Sequence, residues 1–202
     1  MNANGGMSVA NSFVVQFPNP AVPIPGNDAG VGNVFEFLCD EAQLPNVQAA
    51  TGTLKGRYLG EGQINYPHTR VFTELQLGFQ CDANQIPLKF LNNWFGLIFG
   101  EPPAPGLPGH NPNTPVTRTD YNRANRLQYP ESYCSDIIIT KTEIGPNSKP
   151  LRPSVTYLLE RAWPFAIDAV PLQFGSSQIT KVTAQFYYTR HTITHHNVLD
   201  GV

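Results

Sequence analysis

The sequence has 202 residues, a length that suits one sizeable domain. Only 14% are charged, against roughly a quarter in an ordinary soluble domain, and the net charge of -2 excludes a chain that binds nucleic acid by charge alone. The 41% of hydrophobic residues excludes an acidic disordered tail, and no apolar run approaches the roughly 18 residues of a membrane helix.

The opening MNANGGMSVANSF has no basic stretch followed by an apolar one, so no signal peptide is expected. Residues 12–17 (SFVVQF) read as a short strand, followed by the breaker-rich PNPAVPIPGNDAG. Residues 34–39 (VFEFLC) are expected to be a second strand, with Phe35 and Phe37 on one face and Glu36 on the other. Leu44-Pro45-Asn46 turns the chain.

Between Thr51 and Tyr66, the glycines Gly52, Gly56, Gly60 and Gly62 alternate with Leu54, Tyr58, Leu59, Ile64 and Tyr66. Glycine is costly to order, and a lone subunit would leave several of these apolar side chains exposed. Something must therefore cover them, and Leu54, Tyr58, Leu59, Ile64 and Tyr66 are the expected contact residues, with Lys55 and Arg57 near the tip placed to add charge pairing. Gly56-Arg57-Tyr58-Leu59-Gly60-Glu61-Gly62 is no phosphate loop, because it lacks the closing Gly-Lys-Ser/Thr and no helix follows.

Residues 72–81 (FTELQLGFQC) read as a strand with Phe72 and Glu74 on one face and Leu75, Leu77 and Phe79 on the other. The period then changes to 3.6. Ile86, Phe90, Trp94 and Ile98, beside Leu91 and Leu97, predict the one main helix. Asp82 or Asn84 is its expected cap, and Gly100-Glu101-Pro102-Pro103 ends it.

Six prolines between 101 and 115 predict a stiff irregular loop. Residues 137–144, 155–161 and 179–190 are three further strands; in the last, Val182, Ala184, Phe186 and Tyr188 share a face. Phe35, Phe37, Phe72, Phe79, Phe90, Trp94 and Trp163 are the expected core aromatics, Trp163 lying at a strand end. The fold class is mainly β, a sandwich or barrel of antiparallel strands with one main helix and long loops.

No set of residues makes a convincing catalytic centre. His191, His195 and His196 suggest metal ligands, yet Thr192-Ile193-Thr194 favours an extended chain, and a polar terminal tail is the better reading. Cys39 and Cys81 have no basic neighbour and read as buried strand residues. Asp40 with Glu41, or Asp82, makes the kind of carboxylate pair that 15 acidic residues produce by chance. Cys39, Cys81 and Cys134 are odd in number and scattered, and are expected to be free thiols. No enzyme, metal or cofactor is expected.

Three stretches, in order, are informative. The first is Phe35-Glu36-Phe37-Leu38-Cys39 with Ala42 and Leu44-Pro45. The second is Ile64-Asn65, Arg70-Val71-Phe72, the strand to Cys81-Asp82, and Phe90 with Trp94. The third is Leu159-Glu160-Arg161-Ala162-Trp163-Pro164, then Val170, Leu172, Phe174 and the closing strand. Together they resemble the tail tube protein family of contractile-tailed bacteriophages over about residues 34–98 and 155–190. Pro67-His68-Thr69 replaces the family's acidic turn, and 100–132 reads as a proline-rich insertion in a single domain spanning 1–202.

The resemblance implies a β-sandwich whose sheets join those of five neighbours in a hexameric ring, rings that stack into a hollow tube, and a segment 51–66 that reaches a neighbour. The implied partners are further copies of the chain, the tail sheath, the tape-measure protein, the baseplate hub and the tail terminator, with double-stranded DNA passing transiently and without sequence preference. The implied location is the virion tail, assembled in the host cytoplasm. A baseplate or hub protein that initiates or caps the tube is the alternative. A carbohydrate-binding β-sandwich using Tyr121, Tyr129 and Tyr133 is a more distant one.

Overall fold

The alternating segments of the sequence become antiparallel strands in the computed structural model, which describes residues 8–22, 36, 38–56, 62–100, 126–145, 149–170, 172 and 179–196. The strands are β1 (Phe13–Gln16), β2 (Cys39–Ala42), β3 (Val47–Lys55), β4 (Gln63–Phe72), β5 (Leu75–Gln80), β6 (Ser135–Gly145), β7 (Lys149–Ile167), β8 (Lys181–Tyr187) and β9 (Arg190–His195). The main helix is α1 (Ile86–Ile98), and α2 (Pro130–Tyr133) is a single turn. Hydrogen bonds order the body β1-β6-β7-β8-β5-β2, with β9 also on β7. β3 and β4 form a separate two-stranded sheet.

The 19 residues of β7 serve two halves of the body. Residues 155–160 pair with β6 on one side and β9 on the other, whereas residues 163–167 pair with β8. The change falls at Arg161, whose φ of 55° is in the left-handed region that a bulky residue rarely adopts. Asp136 holds this corner by accepting the Arg161 backbone N–H on Oδ1 at 3.0 Å. The facing chain breaks at the same level: β8 ends at Tyr187, β9 starts at Arg190, and the Thr189 N–H donates to Glu160 O at 3.0 Å. The expected single strand 179–190 is therefore two strands about a corner. The expected polar tail is a strand, with His191 buried in it.

Leu75, Leu77 and Phe79 of β5 face Phe186, Ala184 and Val182 of β8, and all six are buried. The α1 stripe Phe90, Leu91, Trp94 and Ile98 joins the same core, and α1 packs on β7 and β8. Each such side chain contributes about 1.5–3 kcal/mol by transfer. Trp94 is central. Its ring lies 5.5 Å from Phe90, 5.8 Å from Phe186 and 6.2 Å from Phe17, and its Nε1–H donates to Tyr133 O at 2.6 Å.

The start of α1 differs in detail from expectation: Gln85 is the capping position, at φ 54°, while Asp82 Oδ1 accepts the Ile86 N–H at 2.8 Å. Gly100 ends the helix at φ 70°, a conformation glycine adopts without a Cβ clash, and donates to Leu97 O at 3.1 Å.

Three expectations need correction or fall outside the description. Glu36 is helical and Leu38 is in a turn, so among the described residues of the expected strand 34–39 only Cys39 is extended; Val34, Phe35 and Phe37 lie outside the described residues. Phe72 ends β4 rather than opening β5, and is half-buried at the base of the separate sheet instead of in the core. Trp163 is half-buried against the core's margin. Phe79, Phe90 and Trp94 are fully buried. Most of the proline-rich segment lies outside the described residues.

Candidate subunit interface

The β3–β4 sheet is an arm, hydrogen-bonded to no third strand among the described residues and exposed along nearly its whole length. A lone two-stranded ribbon is at best marginally stable in water, so its composition has to be read for what covers it. The register runs from Val47↔Phe72 to Lys55↔Gln63 and slips once. Ala50 faces Thr69 and Thr51 faces Pro67, which leaves His68 as the extra residue of a bulge in β4. Pro67 has no N–H to give, and a bulge in a two-stranded sheet tolerates that.

This bulge decides the chemistry of the two faces. Ile64 and Tyr66 have even numbers and Val71 an odd one, so strict alternation would separate them. With His68 absorbed, Ile64 opposes Leu54, Tyr66 opposes Gly52, and Val71 opposes Gln48, all on one face. That face carries Leu54, Ile64, Tyr66 and Val71 at 52%, 47%, 47% and 41% exposure. The other carries Thr51, Thr53, Lys55, Gln63 and Asn65 towards the tip, and Phe72 with Arg70 at the root.

Tyr66 lies so close over Gly52 that a Cβ there would meet its ring at 2.8 Å, so the ring covers the bare glycine backbone. Of the expected contact residues, Leu54, Lys55, Ile64 and Tyr66 are on the arm and exposed, while Arg57, Tyr58 and Leu59 lie outside the described residues. Val71 was missed, because only the bulge brings it to the apolar face.

The root of the arm meets the body at His191. The Phe72 ring stands 5.1 Å from the imidazole and 5.9 Å from Tyr188. The Arg70 guanidinium lies 4.9 Å from the Phe72 ring centre. Burial, reinforced by the Arg70 charge, lowers the His191 pKa below its ordinary value.

The body has three strands paired on one side only among the described residues: β1 on β6, β2 on β5 and β9 on β7. Short edge strands with charges resist adventitious pairing, and β2 carries Asp40 and Glu41 in an ion-paired cluster with Lys181. β9 presents Thr192, Ile193 and Thr194 instead, with Ile193 exposed.

Catalytic geometry is not what these groups make. No group of His, Cys, Asp or Glu among the described residues is placed to hold a metal. Burial pushes the Cys39 thiol up to about 12, outweighing its 3.5 Å hydrogen bond to Glu41 O, and also raises Cys81 and Cys134. All three are free. Of the tyrosines set aside for a sugar surface, Tyr133 is buried, Tyr129 is exposed and Tyr121 lies outside the described residues. No helix among the described residues is long and apolar enough to cross a membrane.

The fold is similar to that of chains in structures of contractile injection systems. The anti-feeding prophage baseplate structure matches at TM-score 0.59 and 12% identity, covering 94% of this chain and 97% of the other. The tube-terminating cap of the same particle matches at 0.57 and 14%, covering 95% and 93%. An extracellular contractile injection system sheath–tube complex in the extended state matches at 0.57 and 12%, covering 94% and 93%. Identities this low speak for the fold alone. No curated protein sequence matches. The chain belongs to the phage tail tube protein family, which matches residues 8–194. It is a structural tail protein and not an enzyme.

Proposed function

We propose that this chain is the repeating subunit of the inner tube of a contractile phage tail, assembling as hexameric rings that stack into a hollow conduit for DNA ejection. The observation that carries the reading is the arm, which places four exposed apolar side chains on one face with nothing among the described residues to cover them. Its natural cover is another subunit. The body supports ring closure as well: among the described residues β1-β6-β7-β9 forms a run of four strands with unused edges at both ends, so the β9 edge of one copy meets the β1 edge of the next. A head-to-tail contact of this kind closes into a ring when its rotation closes, and the arm is then free to reach an adjacent ring.

A tube must let its cargo slide. The net charge of -2 suits weak, sequence-independent contact with double-stranded DNA. The tail sheath outside, the tape-measure protein inside, and the baseplate hub and terminator at the ends are the partners of this reading, which puts assembly in the host cytoplasm before the virion is complete. A tube-initiating or tube-capping subunit is the second reading, favoured by the fold shared with baseplate and cap proteins. Negative-stain microscopy of the purified protein separates them. Long hollow tubes support the tube subunit, single rings support the initiator or cap, and a monomer at every concentration overturns both.

A further inference from the structure

The arm is fastened to the body by a buried imidazole with one nitrogen unused. His191 on β9 is 3% exposed, enclosed by the rings of Phe72 at 5.1 Å, Tyr188 at 5.8 Å and Tyr157 at 5.9 Å. Its Nδ1 is 3.4 Å from the Tyr188 hydroxyl, and its buried Nε2 has no hydrogen-bond partner. Neutral imidazole tolerates this with one weak contact. Imidazolium does not, because it carries an N–H at both nitrogens, and the one at Nε2 is buried with no acceptor.

The groups facing it offer no remedy. From β4 comes Arg70, a second cation; from β7 comes Tyr157, and from the turn before β9 comes Tyr188. The nearby carboxylate of Glu160 is taken by Arg190 at 2.7 Å. Aromatic rings attract cations, but Arg70 already lies over Phe72.

We propose that His191 is an acid-sensitive latch: neutral, it seats Phe72 and holds the root of the arm, and protonated, it leaves its site and releases the root. The downward pKa shift set by burial and Arg70 agrees in sign. The closed form binds the proton less tightly than the open one, whose histidine titrates near the ordinary 6.5. Closure is therefore complete above that value and is lost progressively as the pH falls below it. The inference concerns the arm's own attachment and stands apart from what the arm docks on.

Amide hydrogen exchange of the full chain, corrected for the intrinsic pH dependence of exchange, tests it at about pH 7.5 and about pH 5.0. Protection of residues 69–72 should fall about tenfold on acidification in the wild type and stay within about twofold in His191→Met. His68, His110, His195 and His196 are common to both chains, so the difference between them reports His191. Equal losses in the two chains, or none in the wild type, overturn the latch. Should His191→Met fail to fold, the wild-type His191 ring resonance decides: a midpoint below about 6.5 supports the latch and one at or above it overturns it. Light scattering at both pH values separates the latch from the tube, since altered assembly with residues 69–72 equally protected also overturns it.

Discussion

Lys181 on β8 passes over Gly78 on the central strand β5 to reach the carboxylates of β2. Its Nζ lies 2.7 Å from Glu41 Oε2 and 3.3 Å from Asp40 Oδ2. A Cβ on Gly78 would stand 2.7 Å from Lys181 Cε and 3.1 Å from Glu41 Cβ. Glycine is what lets a side chain from one neighbouring strand cross to the other, and so helps tie the four-residue β2 to the sheet. Gly78→Ala should displace the flexible Lys181 side chain and cost roughly what its partly exposed ion pairs contribute, at most about 1 kcal/mol. In a Lys181→Ala background the obstacle is gone, and the cost of Gly78→Ala should fall. Urea denaturation of the four chains of the cycle measures the coupling; equal costs in both backgrounds would show that Lys181 is not what Gly78 accommodates.

Phe90 belongs to the core and not to a cargo surface. It is fully buried, 5.5 Å from Trp94 and 5.7 Å from Phe17 between ring centres. Phe90→Ala should therefore cost about 3–5 kcal/mol of subunit stability by leaving a cavity between α1 and Phe17. Thermal and urea melts check this. A chain that melts like the wild type would contradict the placement.

How much of this was legible beforehand depended on whether a local period survived folding. The α1 stripe and the Leu75-Leu77-Phe79 face of β5 were readable because each element keeps one period throughout and buries one side. The corner between β8 and β9 was not, because alternation continues through Tyr188 while the chain turns to follow the left-handed Arg161 on the facing strand. That corner comes from a pairing between distant segments, which no local pattern reports. The same holds at the arm, where one extra residue at His68 moves Val71 onto the face of Ile64 and Tyr66. Interleaved glycine and apolar residues signalled an exposed arm in 51–66, but extending it to Val47 and Phe72 needed the register. His191 looked like part of a polar tail because nothing near it in sequence shows the rings that bury it.

The thiols make a pH prediction with a definite sign. Burial raises Cys39 from an ordinary 9.0 to about 12, so the folded chain keeps a proton that the unfolded chain loses. The associated stability is fully present below about pH 9 and is lost as the pH rises towards 12. At about pH 8 a thiol reagent should leave Cys39 unmodified in the folded protein. After denaturation without reductant, all three cysteines should react. Rapid labelling of Cys39 in the native chain would mean that β2 opens readily.

The arm's two faces give the sharpest test of the assembly reading, because they differ in chemistry on the same two strands. Ile64 opposes Leu54 on the apolar face, and Thr53 opposes Asn65 on the polar one. Neither Ile64 nor Thr53 is buried within the subunit, so an aspartate at either should leave subunit stability within about 0.5 kcal/mol. Their effects on assembly should diverge. A subunit packed over the apolar face would have to bury the new carboxylate of Ile64→Asp unpaired, at a penalty of several kcal/mol per contact. Repeated at every contact in a polymer, that penalty prevents long tubes. Thr53→Asp should assemble as the wild type does, because its face stays in water. Circular dichroism establishes that both variants are folded, and negative-stain microscopy with sedimentation reads tube length. Normal tubes from folded Ile64→Asp would remove the apolar face from the interface, and loss of tubes in both variants would show that the arm acts without the facial preference its register gives it.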